Sequence, residues 1–284
     1  MGQEEPKIGS VPVFKNLETN ANIRTLAMDG NFLWIGLSNG IIRLDTETEA
    51  YDIFSARSTH GAFLSNGIFK IKVDNEGNKW FATYGGGLAK LSGHEWTVYT
   101  PYGMGPTSYG AGWTFFRGAE GLGDLWAYDI FFEPETMWVA TWKGASLFNG
   151  KTFKIYTQDD GLPDKWVYAI GKEKDGSFWF GTEGGVTHYI GGKWVNYTHK
   201  DGLGAEINDN FSPHSDSSPS TSHHAVPGKK IMTSNPNYVL TVAIDGSNSK
   251  WFGTWGGGIA KFDGKTWTNF TKAEGIGGNF VNAL

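Results

Sequence analysis

The chain has 284 residues, with 24 Lys and Arg against 29 Asp and Glu, a formal net charge of −5 and no cysteine. That balance, without any long basic run, argues against nucleic acid as a partner. No apolar run approaches the ~18 residues that span a bilayer, so no direct membrane insertion is expected. The absence of cysteine excludes disulfides, thiolate catalysis and Cys-ligated zinc or haem.

Residues 1–20 begin with the polar run Met1-Gly2-Gln3-Glu4-Glu5-Pro6, and Val11 to Leu17 can supply one ring-closing strand. Beyond them one phrase is written five times: Trp34-Ile35-Gly36-Leu37, Trp80-Phe81-Ala82-Thr83, Trp138-Val139-Ala140-Thr141, Trp179-Phe180-Gly181-Thr182 and Trp251-Phe252-Gly253-Thr254. Repetition every roughly 40–50 residues denotes a propeller or a solenoid. A first strand precedes each phrase, beginning at Ile23, Ile68, Trp126, Val167 and Val239. Polar hairpins such as Asp74-Asn75-Glu76-Gly77 and Asp245-Gly246-Ser247-Asn248 carry the residues that tight turns need. After the phrase come a Gly-containing turn, a third strand, and a fourth with spaced aromatics such as Trp96 and Tyr99 or Trp194 and Tyr197. An acid-Gly-Leu loop follows, as in Asp160-Gly161-Leu162 and Asp201-Gly202-Leu203.

The pattern predicts an all-β propeller over residues 21–284, made of four-stranded antiparallel blades, with five clear repeats and a split or incomplete sixth. Gly36, Ala82, Ala140, Gly181 and Gly253 stand two residues after each Trp. They are expected to leave a hollow for a neighbouring blade's aromatic, so that Val at Gly253 would overpack. Residues 101–119 and 204–236 break the period as insertions; Trp113-Thr114-Phe115-Phe116 in the first resembles a fourth strand again. Phe280-Val281-Asn282-Ala283-Leu284 restarts a first strand, so the natural chain is expected to continue beyond residue 284.

Antiparallel alternation puts the turn between strands two and three on the same face as the connection to the next blade. Tyr84, Trp142, Glu183 and Trp255 should therefore crowd one mouth with both insertions, joined by Trp126, Trp166, Tyr238 and Phe280 at the starts of first strands and by Trp113 of the aromatic insertion. Exposed aromatics beside glycine suit stacking on flat apolar ligand faces, including sugar rings.

The run hydrophobic–Asp–Gly–Trp–Phe–Gly–Thr–Gly-Gly, then Phe–Asp-Gly, Trp–x–x–Tyr/Phe-Thr and Asp-Gly-Leu-Pro, resembles the two-component regulator propeller repeat. Asp160-Gly161-Leu162-Pro163 shows the loop in full. The resemblance covers the chain from about residue 20 to 284, insertions excepted. It implies relatives with seven-bladed propellers in the extracytoplasmic sensor halves of bacterial hybrid histidine kinases, where glycan fragments are typical signals, and others that are secreted alone. It supplies no catalytic motif.

The residues themselves call for no cofactor, metal or catalytic set. No nucleophile elbow, phosphate loop or zincin motif occurs. Glu120, Asp124, Asp159, Asp160, Asp164 and Asp201 gather near the mouth, and a pair held about 5–9.5 Å apart would suit glycoside hydrolysis. The acids before Gly-Leu read more simply as turn-holding groups. His214, His223 and His224 share one insertion, where adjacent histidines point apart. The expected function is a non-enzymatic, extracytoplasmic (periplasmic or secreted) bacterial ligand-binding propeller, with a glycan or other small ligand at the mouth. The alternative is a scaffold for a protein partner, and a hydrolase or lyase ranks third.

Overall fold

The computed structural model describes residues 21–205 and 237–284, apart from 60, 62, 107–111, 113 and 118–119. The 1–20 segment, most of the 204–236 insertion with its three histidines, and Trp113 lie outside the described residues.

Five antiparallel sheets follow one another, each with its strands in chain order. The first holds β1 (Ile23–Asp29), β2 (Phe32–Leu37), β3 (Ile41–Asp45) and β4 (Tyr51–Phe54). The second holds β5 (Ile68–Val73), β6 (Lys79–Thr83), β7 (Leu88–Ser92), β8 (Glu95–Tyr99), β9 (Gly103–Pro106) and β10 (Thr114–Phe115). The third is β11 (Ala127–Phe132), β12 (Met137–Thr141), β13 (Gly144–Phe148) and β14 (Phe153–Tyr156). The fourth is β15 (Val167–Lys172), β16 (Phe178–Thr182), β17 (Gly185–Ile190) and β18 (Lys193–Tyr197). The fifth is β19 (Val239–Ile244), β20 (Lys250–Thr254), β21 (Ile259–Phe262) and β22 (Trp267–Phe270). First strands lie side by side in the order β1, β5, β11, β15, β19, which makes this a five-bladed β-propeller. One isolated bridge lies near the carboxyl end. Phe280 bridges Trp255 as Trp126 bridges Tyr84.

Each of the four junctions is filled by an apolar cluster drawn from two adjacent sheets. The small residue of each second strand admits its neighbour here. A Cβ on Gly36 would lie 2.8 Å from Ile68 Cγ2, one on Gly181 2.9 Å from Val239 Cγ1, and one on Gly253 2.8 Å from Val281 Cγ1. At Gly36 and Gly181 the group seated in the hollow is thus a β-branched aliphatic of the next inner strand, not the expected aromatic, and Val281 takes the same place at Gly253. The aromatics pack further out. The Trp194 and Trp267 rings lie against the positive-φ Gly161 and Gly202, and Asn196 and Asn269 donate to the carbonyls of the same two glycines at 3.0 Å.

Turn-holding is what the loop acids do. Asp160, Asp201 and Glu274 accept from the backbone N–H of Thr157, Thr198 and Thr271 at 2.8, 2.7 and 2.7 Å, closing capping boxes around one-turn 3₁₀ segments. Leu162 and Leu203 behind them are buried wedges. Part of the first insertion is described, and Trp113 within it lies outside the described residues. Its described part adds β9 and β10 to the outer edge of the second sheet, where β8 would otherwise present unpaired backbone groups.

Gly181→Val is expected to destabilise the fold by about 1–3 kcal/mol through overpacking against Val239. Gly253→Val should act in the same direction. A thermal melt in which Gly181→Val matches the parent would remove the hollow from its place in the fold.

Candidate functional site

Every inner strand slips register at its second residue, between Ile23 and Thr25, Ile68 and Lys70, Ala127 and Asp129, Val167 and Ala169, and Val239 and Thr241. A bulge re-aims the side chain of its extra residue. The residues so placed are Arg24, Phe69, Tyr128, Tyr168 and Leu240. Four of them meet in succession. The Arg24 guanidinium sits 4.9 Å from the Phe69 ring centroid, Phe69 is 4.6 Å from Tyr128, and Tyr128 is 4.9 Å from Tyr168. Tyr168 then stacks on Tyr238 at 4.8 Å.

The turn aromatics join this chain of rings. Tyr84 lies 5.6 Å from Phe69 and 4.0 Å from Trp126. Trp126 stacks on Trp142 at 3.8 Å, and Trp142 lies 5.6 Å from Trp166. On the other side Trp255 is 5.4 Å from Tyr238 and 4.7 Å from Phe280. The Tyr168 hydroxyl donates a long hydrogen bond, 3.4 Å, to Glu183 Oε2. The structure thus brings Tyr84, Trp126, Trp142, Trp166, Trp255 and Glu183 into one connected network. Phe69, Tyr128 and Tyr168 also belong to it, and sequence reasoning missed them; their signal is the second position of each inner strand.

Ring faces within the network are partly spent on each other, since Trp126 is sandwiched between Tyr84 and Trp142. The opening lies beyond it, in a cleft of about 380 Å³ lined by Asp124, Trp142, Lys143, Lys165 and Trp166. Asp124 and Asp164 accept the backbone N–H of Trp126 and Trp166 at 2.9 and 3.0 Å, so these acids pin the starts of the Trp-bearing strands. Lys165 lays its ammonium 4.9 Å from the Trp166 centroid. Burial raises the pKa of Tyr128, Tyr168 and Tyr238, which stay neutral donors. Burial, with the charge of Asp164 added, pushes the Glu183 carboxyl up to about 7 against the opposing effects of Tyr168 and Lys165. Near neutral pH Glu183 therefore offers a ligand either a donor or an acceptor.

A second polar cluster sits on the opposite face, where His188 Nε2 is 2.7 Å from Ser177 Oγ and 3.3 Å from Glu173 Oε1. Both partners use the same ring nitrogen, and Ser177 Oγ donates to Asp175 at 2.7 Å. A nucleophilic relay needs both imidazole nitrogens, so this cluster is structural. Among the described residues no group of three or more His, Cys, Asp or Glu is placed to hold a metal ion, and no helix is long and apolar enough to cross a membrane.

The family profile described as two component regulator propeller matches residues 161–184, from the acid-Gly-Leu loop through β16 to the following turn. That pattern recurs in the other sheets. Solved structures share the fold. The extracellular domain of the hybrid two component system BT3049 from B. thetaiotaomicron superposes with a TM-score of 0.62 at 19% identity, over 92% of this chain and 30% of that one. That of BT4673 from the same organism gives 0.55 at 17%, over 87% and 28%. PorZ, an essential bacterial surface component of the type-IX secretion system of Porphyromonas gingivalis, gives 0.54 at 15%, over 93% and 35%. The chain spans about a third of the length of these proteins. No curated protein matches the sequence.

Because the folded pKa of Glu183 lies above its ordinary 4.5, its protonated form is favoured in the fold. The stability it contributes is full below about 4.5 and is lost as pH rises through about 7. Melting temperatures across that window should fall less with rising pH in Glu183→Gln than in the parent. Parallel curves would refute the assignment.

Proposed function

We propose that this chain, built on the two component regulator propeller repeat, is an extracytoplasmic, sensor-type propeller that binds a small ligand, and that the ligand is a glycan held at the aromatic mouth. One observation carries this reading: the cleft lined by Trp142 and Trp166, where two half-buried indoles stand beside Asp124, Lys143 and Lys165. Flat apolar rings with a few polar groups at their rim suit a pyranose, whose C–H face stacks while its hydroxyls take hydrogen bonds. The extracellular setting follows the two hybrid two component systems that share the fold. Glu183, Tyr84, Trp126 and Trp255 belong to the same network and shape the floor and flank of the mouth. Binding needs no cofactor and no covalent step.

A second reading, a scaffold for a protein partner in an extracellular or periplasmic assembly, draws support from PorZ, a surface component of a secretion system. The two readings part at the cleft, because a glycan site must depend on its indoles.

Calorimetry against a glycan panel should find a binder whose affinity falls about tenfold or more in Trp142→Ala and Trp166→Ala. Trp255→Ala, at the far side of the network, should lose less. Equal affinity in all three variants, or no binder in the panel, would favour the scaffold.

A further inference from the structure

On the face opposite the mouth the first strand of every sheet ends at or beside an acid: Asp29, Asp74, Glu133, Glu173 and Asp245. At three junctions that acid receives a lysine from the following sheet. Lys79 Nζ lies 2.7 Å from Asp29 Oδ2, Lys172 Nζ 2.6 Å from Glu133 Oε2, and Lys250 Nζ 3.1 Å from Glu173 Oε2. The lysine always comes from one cross-strand pair, the pair that closes the first hairpin: Val73 with Lys79, Lys172 with Phe178, Ile244 with Lys250. In the third sheet the same pair is Phe132 with Met137. The junction between the second and third sheets therefore lacks its lysine, and Asp74 makes no ion pair among the described residues.

A cleft of about 270 Å³ opens at that junction. Trp80, Phe132 and Met137 form its apolar wall, and Asp74, Glu76 and Glu135 stand around it. Asp74 is held in place by Trp80 Nε1 and Asn78 Nδ2, which donate to Oδ2 at 2.8 and 2.9 Å, and by the backbone N–H groups of Glu76 and Asn78 on Oδ1. Burial works against its charge, yet these hydrogen bonds keep its carboxyl below the ordinary value, so it is ionised at neutral pH. Lys90 also borders the cleft, but its ammonium lies over the Trp80 ring, 5.1 Å from the centroid.

We propose that this cleft binds a primary ammonium on an alkyl stem, and that the ligand's charge takes the place that Lys79, Lys172 and Lys250 fill at the other junctions. The wall covers a methylene stem as it would that of a lysine, and the head meets a fixed carboxylate beside an indole. A metal ion suits the site poorly, because among the described residues no group of three or more His, Cys, Asp or Glu is placed to hold one. The site lies on the hairpin face and does not depend on the reading of the mouth.

The test titrates the protein with n-butylammonium, N-acetyl-lysine methylamide and the neutral n-butanol, followed by chemical shifts of the Trp80 indole N–H. The two ammonium probes should bind and n-butanol should not, with the stronger of the two identifying a free amine or a peptide lysine as the source. Asp74→Asn should weaken both by roughly tenfold or more. Met137→Lys supplies the missing ammonium from the chain itself, and should abolish binding while its melting temperature holds or rises. Should Met137→Lys fold poorly, Phe132→Lys uses the position that Lys172 occupies one sheet later. Wild-type affinity in the folded lysine variant, or equal response to n-butanol and n-butylammonium, overturns the proposal.

Discussion

The structure depends on how closely one sheet can approach the next, and that distance is set by a missing side chain. In the middle of each second strand stands Gly or Ala, and an aliphatic side chain of the adjoining segment packs against it. Gly36 faces Ile68, Gly181 faces Val239 and Gly253 faces Val281. Where the small residue is Ala82, the inner strand of the next sheet brings Ala127 into the same cluster. Ala140 shares its cluster with Val167. Packing at crystal-like density leaves little tolerance for a methyl group either way. A small residue at each of these positions lets the adjacent sheet approach closely, which is what allows a turning succession of them.

Close spacing of the inner strands makes the bulges consequential. A single extra residue per strand would be an isolated kink in a flat sheet. Here successive bulges lie near enough for Phe69, Tyr128 and Tyr168 to touch. Their rings then support the turn aromatics above them, so the mouth rests on the innermost layer of the fold and not on loops alone. A site built on strands is held more rigidly than one on loops. The cost falls on polar groups. Tyrosine hydroxyls and the Glu183 carboxyl are drawn into a partly desolvated ring, and the shifts on Glu183 and the tyrosines follow from that.

Much of this was legible in the chain. The five Trp phrases fall inside β2, β6, β12, β16 and β20, and the parity of antiparallel strands places Tyr84, Trp142, Glu183 and Trp255 together before any coordinates exist. What escaped has a common cause. Parity counts residues two by two, and a bulge adds one, so Phe69, Tyr128 and Tyr168 read as ordinary strand positions until the register slip is seen. The described part of the insertion after β8 was hidden for a different reason. Its pattern suggested a repeated fourth strand, but in its described part Met104-Gly105-Pro106 pairs along the sheet edge, a choice decided by the unpaired backbone of β8 and not by side-chain pattern. Contact between Trp126 and its neighbours was also out of reach, because no spacing rule says whether two indoles will face a ligand or each other.

The hairpin face shows how nearly equivalent sheets are kept distinct. Apolar seams alone would accept several pairings among repeats this similar. The Glu173 carboxylate and the Lys250 ammonium are both almost fully buried, and Glu173 also accepts from Trp179 and Asn248 and lies beside His188. Burying such a pair costs desolvation comparable to what their attraction returns, while stranding either partner is expensive. Its main physical effect is therefore discrimination: a sheet that brings lysine must meet a sheet that presents an acid with room for it. The lysine moves between the two members of the cross-strand pair, first strand in the fourth sheet and second strand in the second and fifth, so that no two of the three seams bridged on the hairpin face present the same combination of acid and lysine position. The second and third sheets adopt the apolar solution with Phe132 and Met137, and there the seam gains hydrophobic contact with Trp80 but leaves Asp74 facing a cleft instead of a partner sheet's charge.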